Sequence, residues 1–263
     1  MSGTPLLSIR HLLREYRAGS QTPAAVLADI RERAARHEAD NIWIHLLSEA
    51  ETAPWLEALA GQDPATLPLY GIPFAIKDNI DLAGIPTTAG CAAFSYTPED
   101  SAFVVERLIT AGAIPVGKAN LDQFATGLVG TRSPWGATRN AFDPDTISGG
   151  SSSGSAVAVT RGLASFSLGT DTAGSGRVPA AFNNLVGIKP SRGLLSTRSV
   201  VPACRSLDCV SVFALDCIDA ASVMDVVTAY DAQDPYAREA QGQPTADSAF
   251  RFGVPGDGKL EFF

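Results

Sequence analysis

Three observations predict an α/β protein with a single sheet and helices on its faces. From Leu67 onward, short apolar runs alternate with segments of helical period, the pattern of strands laid between packed helices. Residues 149–180 place a Gly/Ser-rich turn, a short apolar helix, a strand and a second Gly/Ser turn in succession, which returns two loops to one edge of the sheet. The chain has 263 residues, 45% of them apolar and 18% charged, enough to bury a substantial core.

The elements follow in order. Ile9, Leu12, Leu13 and Tyr16 recur at helical spacing and Gly19 ends the run. Thr22 and Pro23 are an N-cap and first helical residue, and Val26, Leu27 and Ile30 are the apolar stripe of a second helix. Residues 42–47 read as a strand, with His45 as a core or edge residue rather than a ligand, and residues 48–59 as a helix packed through Trp55. Residues 1–66 thus form a helical lead-in and residues 67–263 the core. In the core, Phe74 to Lys77 is a strand, residues 101–111 a helix closed by Gly112, and residues 114–117 a further strand. A long loop over residues 120–136 precedes the helix at 154–161 and the strand at 165–169. Residues 210–215 read as a strand, and Asp219 as the cap of a helix with apolar positions Val223, Met224, Val227 and Tyr230. Residues 231–248, polar and containing Pro235 and Pro244, read as a surface excursion, and residues 250–254 begin another strand.

A net charge of −8 argues against nucleic acid as a partner, since phosphate binding calls for a basic face, and favours a small-molecule substrate. Arg10, Arg14 and Arg17 interrupt the only apolar run near the start, and no apolar stretch is long enough to span a bilayer, so a cytoplasmic protein without membrane contact is expected. Cys91, Cys204, Cys209 and Cys217 form no C-x-x-C pair and have no histidine nearby; they read as reduced, buried, small apolar residues, with no metal site and no cofactor implied.

The 149–180 stretch admits three chemical readings. As a phosphate loop it lacks the lysine, because Ser155 follows Gly154. As a nucleophile elbow, residues 150–154 match G-x-S-x-G, yet His11, His37 and His45 all precede it, whereas that triad takes its histidine from later in the chain. The third reading needs no histidine. Gly149-Gly150-Ser151-Ser152-Ser153-Gly154-Ser155, continued by Gly169-Thr170-Asp171-Thr172-Ala173-Gly174-Ser175-Gly176-Arg177-Val178-Pro179, resembles the signature of the amidase signature family of serine hydrolases. Gly71-Ile72-Pro73-Phe74-Ala75-Ile76-Lys77-Asp78-Asn79 is similar to that family's catalytic-lysine strand.

The resemblance implies a mixed, twisted sheet covered by helices on both faces, and a Ser-Ser-Lys triad. Matched position by position, Ser175 is the nucleophile, Ser151 the bridging serine on a cis peptide, and Lys77 the base. These roles have a physical rationale. A serine hydroxyl needs a base, lysine is one only when burial lowers its pKa, and Ser151 can relay a proton as both donor and acceptor. The backbone N–H groups of Thr172, Ala173, Gly174 and Ser175 are the expected oxyanion hole. The resemblance further implies that residues 120–136 line the substrate pocket, with Gly127, Thr131 and Gly176 as candidate pocket residues. Asp171 and Arg177 flank the nucleophile and are read as an ion pair that shapes the turn.

Within the family, Gly176-Arg177-Val178-Pro179, residues 127–134 and residues 201–209 resemble allophanate hydrolases, which cleave allophanate to ammonium and carbon dioxide in urea degradation. A general amidase, or a glutaminase of the kind found in glutamyl-tRNA amidotransferases, would use the same triad, and a non-catalytic amidase-like binding module is the alternative of another class. A homodimer is left open. The family's domain is considerably longer than 263 residues, so its C-terminal part is expected to be missing here and the chain alone to be poorly soluble or weakly active.

Overall fold

The computed structural model describes residues 7–239 together with Arg251, Gly253 and Gly256. Six strands form one mixed sheet: β1 (Trp43–Leu46), β2 (Pro73–Lys77), β3 (Ile114–Ala119), β4 (Phe166–Thr170), β5 (Val186–Ile188) and β6 (Val210–Ala214), in the order β1-β3-β2-β4-β6-β5. The central pairs β2/β3 and β2/β4 are parallel, while β1/β3, β4/β6 and β5/β6 are antiparallel. The strands β2, β3, β4 and β6 are buried along their whole length, including their polar residues Lys77, Lys118, Ser167, Thr170 and Ser211. The register pairs Phe74 with Phe166, whose rings stack 5.3 Å apart. The first 66 residues contribute β1 to this same sheet.

The helices are α1 (Ile9–Ala18), α2 (Pro23–Arg36), α3 (Glu49–Leu59), α4 (Phe103–Thr110), α5 (Ser153–Thr160), α6 (Arg177–Phe182) and α7 (Cys217–Val227). Their starts obey local chemistry. The Thr22 side chain accepts from the Ala25 N–H before Pro23, and Ser48 with Glu51 makes a capping box before α3. Helix α5 has no polar side: Ser153 to Val159 are all buried, and it packs across β2, β3, β4 and β6. Among the described residues no helix is long and apolar enough to cross a bilayer.

Several expectations are corrected. Asp216, not Asp219, caps α7, accepting from the Ile218 and Asp219 N–H groups. Asp219 is buried and accepts instead from the Ile9 N–H at 2.9 Å, tying α1 to α7. Tyr230 lies beyond the end of α7 and is exposed. Helix α6 and strand β5 carry no periodic signal of their own in the sequence. Within the expected excursion at 231–248, Asp231 and Asp234 are buried: Asp231 accepts from Ser196 and Arg198, and Asp234 from Thr197. All four cysteines are unpaired, but only Cys209 is buried; Cys204 and Cys217 are exposed. The expected strand at 250–254 and most of residues 240–263 lie outside the described residues.

Candidate active site

Lys77 and Thr170 are the last residues of β2 and β4, neighbouring parallel strands, so both side chains stand at the carboxyl ends where open α/β sheets build their sites. Lys77 has no exposed surface; its Nζ lies 2.7 Å from Ser151 Oγ and 2.8 Å from Thr170 Oγ1. Asn79 Nδ2 also reaches Thr170 Oγ1, at 3.4 Å, and donates to the Val201 carbonyl. Among the described residues these two hydroxyls are the only acceptors for an ammonium with three N–H groups, and no carboxylate pairs with it. Burial therefore pushes the Lys77 pKa down to about 7, against the opposing pull of Asp122, Asp171 and Asp208. The lysine is half neutral near pH 7 and can accept a proton there.

Ser151 belongs to the turn that enters α5 and follows a cis Gly150–Ser151 peptide. The Asp122 N–H donates to the Ser151 carbonyl at 3.0 Å, and Ser152 N–H to the Ser175 carbonyl at 3.2 Å, so the two Gly/Ser loops and the long loop at 120–136 meet at one point. Ser175 is buried, and its Oγ donates to the Gly127 carbonyl at 3.4 Å. No hydrogen bond joins the Ser175 and Ser151 hydroxyls in this arrangement; the backbone brings the two serines together.

Asp171 is the hub of the turn that carries Ser175. Its fully buried carboxylate accepts from the N–H groups of Gly174 (2.7 Å), Gly176 (3.1 Å) and Arg177 (3.1 Å), and holds the Arg177 guanidinium in a bidentate pair at 3.0 Å. Burial raises this carboxyl, but the Arg177 pair and the three N–H donors outweigh it and hold the pKa at about 2. The expected ion pair is thus present. The expected oxyanion donors divide: the Gly174 N–H is taken by Asp171, whereas those of Thr172, Ala173 and Ser175 have no acceptor among the described residues.

The candidate pocket residues divide as well. The Gly127 carbonyl faces Ser175, and Thr131 is exposed on the same loop. Gly176 is not pocket wall. It is buried, and a Cβ there would lie 2.6 Å from Ser211 Oγ and 3.2 Å from Asp171 Cβ, so its smallness serves packing behind the turn. Leu128, 43% exposed and within the loop expected to line the pocket, lies over Gly174. A cleft of about 420 Å³, lined by Tyr96, Val201, Arg205, Asp208 and Asp234 among others, opens beside the site. Asp208 connects the two, because it accepts from the Thr172 hydroxyl and from the Ala203 and Cys204 N–H groups. Thr170, Asn79 and Asp208 all stand within or next to the motif residues, but their roles depend on which strand ends lie side by side.

Comparison with known proteins places this geometry. A family model described as Amidase matches residues 25–257. The urea amidolyase of Saccharomyces cerevisiae is 51% identical over 229 residues, covering 86% of this chain and 12% of that protein. A glutamyl-tRNA(Gln) amidotransferase subunit of Symbiobacterium thermophilum is 40% identical over 262 residues, covering 95% of this chain and 54% of that protein. Among solved structures, a Kluyveromyces lactis allophanate hydrolase superposes with a TM-score of 0.84 at 48% identity, over 91% of this chain and 39% of that one. This chain therefore spans at most about half the length of these relatives, and within that span sheet, loops and sequence agree: it belongs to the amidase family.

Proposed function

We propose that this chain carries the nucleophile and base of an amide hydrolase acting through an acyl-enzyme, with allophanate as the substrate. The observation that carries the reading is the fully buried Lys77 amine, with no counter-ion among the described residues and 2.7 Å from Ser151 Oγ. A neutral amine has two N–H groups and one lone pair. With one N–H given to Thr170, the lone pair can face the Ser151 hydroxyl. As Ser175 Oγ attacks the amide carbon, its proton passes to Ser151 and that of Ser151 to Lys77. The N–H groups of Thr172, Ala173 and Ser175 are the donors left for the oxyanion. The proton then returns through Ser151 to the departing nitrogen, which leaves as ammonia, and water cleaves the acyl–Ser175 ester by the same relay.

Allophanate is favoured by the 51% identity to a urea amidolyase and the 48% identity to an allophanate hydrolase. The 40% identity to a glutamyl-tRNA(Gln) amidotransferase subunit supports glutamine as the second reading, with the same triad. Ammonia release by the purified protein from allophanate, glutamine and simple aliphatic amides separates them. Turnover of glutamine with none of allophanate would overturn the substrate assignment, and labelling of Ser152 rather than Ser175 by a fluorophosphonate would overturn the triad.

A further inference from the structure

The site holds a second buried lysine that the chemistry above does not use. Lys118, in β3, has no exposed surface, and its Nζ meets three acceptors: Asp78 Oδ1 at 2.8 Å, Thr87 Oγ1 at 2.8 Å and the Pro86 carbonyl at 3.3 Å. Asp78, equally buried, takes the Thr88 N–H on its other oxygen at 2.9 Å, and the Thr88 hydroxyl there as well. The ammonium donates to Thr87 and Pro86 and has a carboxylate counter-ion, whereas Lys77 has none among the described residues. A buried pair of this kind adds little net stability over an apolar replacement, so its presence beside the site calls for another reason.

We propose that the Lys118–Asp78 ion pair is a positioning pair for Lys77, clamping the end of β2 to the turn at residues 86–90 so that the base stays dry. This rests on the reading of Lys77 as the base. Asp78 directly follows Lys77, and its own backbone is fixed at both ends: its N–H donates to the Ala119 carbonyl at 3.1 Å and its carbonyl accepts from Ala89 at 3.0 Å. From the turn the contacts continue to the loop that encloses the nucleophile. The Ala89 carbonyl accepts from Phe124 N–H at 2.8 Å, and the Gly90 carbonyl from Gln123 Nε2 at 3.2 Å. The Asp122 N–H, next along that loop, donates to the Ser151 carbonyl, and the Gly127 carbonyl accepts from Ser175. One buried pair thus anchors the strand that bears the base and the turn that seats the loop around both serines.

Removing one partner leaves an uncompensated charge in a dry site. Water drawn in to solvate it would loosen the 86–90 turn and rehydrate Lys77. Desolvation is the leading cause of the low Lys77 pKa, so the base itself reports the loosening. The charged groups facing Lys77 are Asp122, Asp171 and Asp208, with Asp171 already paired to Arg177; those facing the pair are Asp81 and the Tyr96 hydroxyl, which donates to Asp81.

The test uses Lys118→Met, Asp78→Asn and the double variant. The chain has four lysines, Lys77, Lys118, Lys189 and Lys259, so ¹³C-labelled lysine ε-carbons can be followed individually by NMR, with Lys77→Arg identifying the resonance. In the parent protein the Lys77 signal should titrate near 7. Each single variant should raise that midpoint by about 1 pH unit or more and slow fluorophosphonate labelling of Ser175 at pH 7 about fivefold for the first unit. The double variant, with no lone charge, should return both to the parent values. An unchanged midpoint in a folded single variant, or a double variant shifted as far as the singles, overturns the proposal. Should Lys118→Met not fold, Asp78→Asn carries the test, because it keeps an acceptor for the Thr88 N–H. The NMR arm does not depend on catalysis, so a parent protein that resists labelling refutes the triad while this arm still decides the role of the pair.

Discussion

Replacing Lys77 by methionine should abolish activity and, at neutral pH and below, relieve the fold of a cost. The lysine titrates at about 7 in the folded chain against 10.5 when solvated, so its protonated form is disfavoured by burial by about 3.5 units, or about 5 kcal/mol. Below pH 7 both folded and unfolded states hold the proton and the whole cost is present. Between 7 and 10.5 the unfolded state binds more protons than the folded one, so wild-type stability climbs with pH by up to about 1.4 kcal/mol per unit. The methionine variant lacks this slope. It loses the amine's contacts with Ser151 and Thr170, about 1–3 kcal/mol for each hydroxyl left unpaired, but that loss does not vary with pH. The stability difference between variant and parent should therefore shift by about 3 kcal/mol against the variant from about pH 6.5 to about pH 9.5. Urea unfolding of both proteins across that range measures it, and groups common to both cancel. Parallel stability curves would show that Lys77 is an ordinary charged lysine in the folded protein, and the base assignment would fall with them.

Ser175→Ala should remove fluorophosphonate labelling and lower turnover by on the order of 10³-fold or more, since triad members act as a unit; labelling that persists would place the nucleophile elsewhere. Asp171→Asn should cost about 2–3 kcal/mol at pH 7, because the carboxylate is held at about 2 against 3.8 when free. Its contribution is complete above the unfolded value and lost as the pH falls through the folded one, so acid unfolding of parent and variant should converge below about pH 2; a constant difference would contradict the assignment. Gly176→Ala should destabilise by about 1–3 kcal/mol through the clash with Ser211, and Ser211→Gly in the same chain should recover most of it. A neutral Gly176→Ala would return that residue to the pocket wall.

What can be read in the sequence is what depends on neighbours in the chain. Thr22 before Pro23 and the apolar run of β2 act over one turn or one strand, and each of these elements forms where its signal lies. The cap of α7 shows where that reach ends. Asp216 and Asp219 are equivalent as local signals, and the choice between them is made by the Ile9 N–H, which approaches Asp219 from 210 residues away. The site divides along the same line. Lys77, Ser151 and Ser175 stand out in the sequence because each lies in a long motif, but the motif is blind to what surrounds them. Gly174 is consecutive with the three N–H groups that have no acceptor among the described residues, and only the folding of the turn around Asp171 takes it out of their number. Gly176 is small beside the nucleophile, which reads equally as room for a substrate; the register of β4 against β6, which sets Gly169 opposite Ser211, makes it room for a side chain. Asp78 and Lys118 are the extreme case. They lie 40 positions apart with nothing in either stretch to mark a partnership, and the parallel pairing of Lys77 with Ala119 alone brings carboxylate and ammonium together behind the base. The contrast between one buried lysine paired with a carboxylate and another without such a partner among the described residues is therefore a property of sheet register, and a variant that shifted β2 against β3 by one residue should turn Lys77 away from Ser151 and part Asp78 from Lys118 with no motif residue substituted.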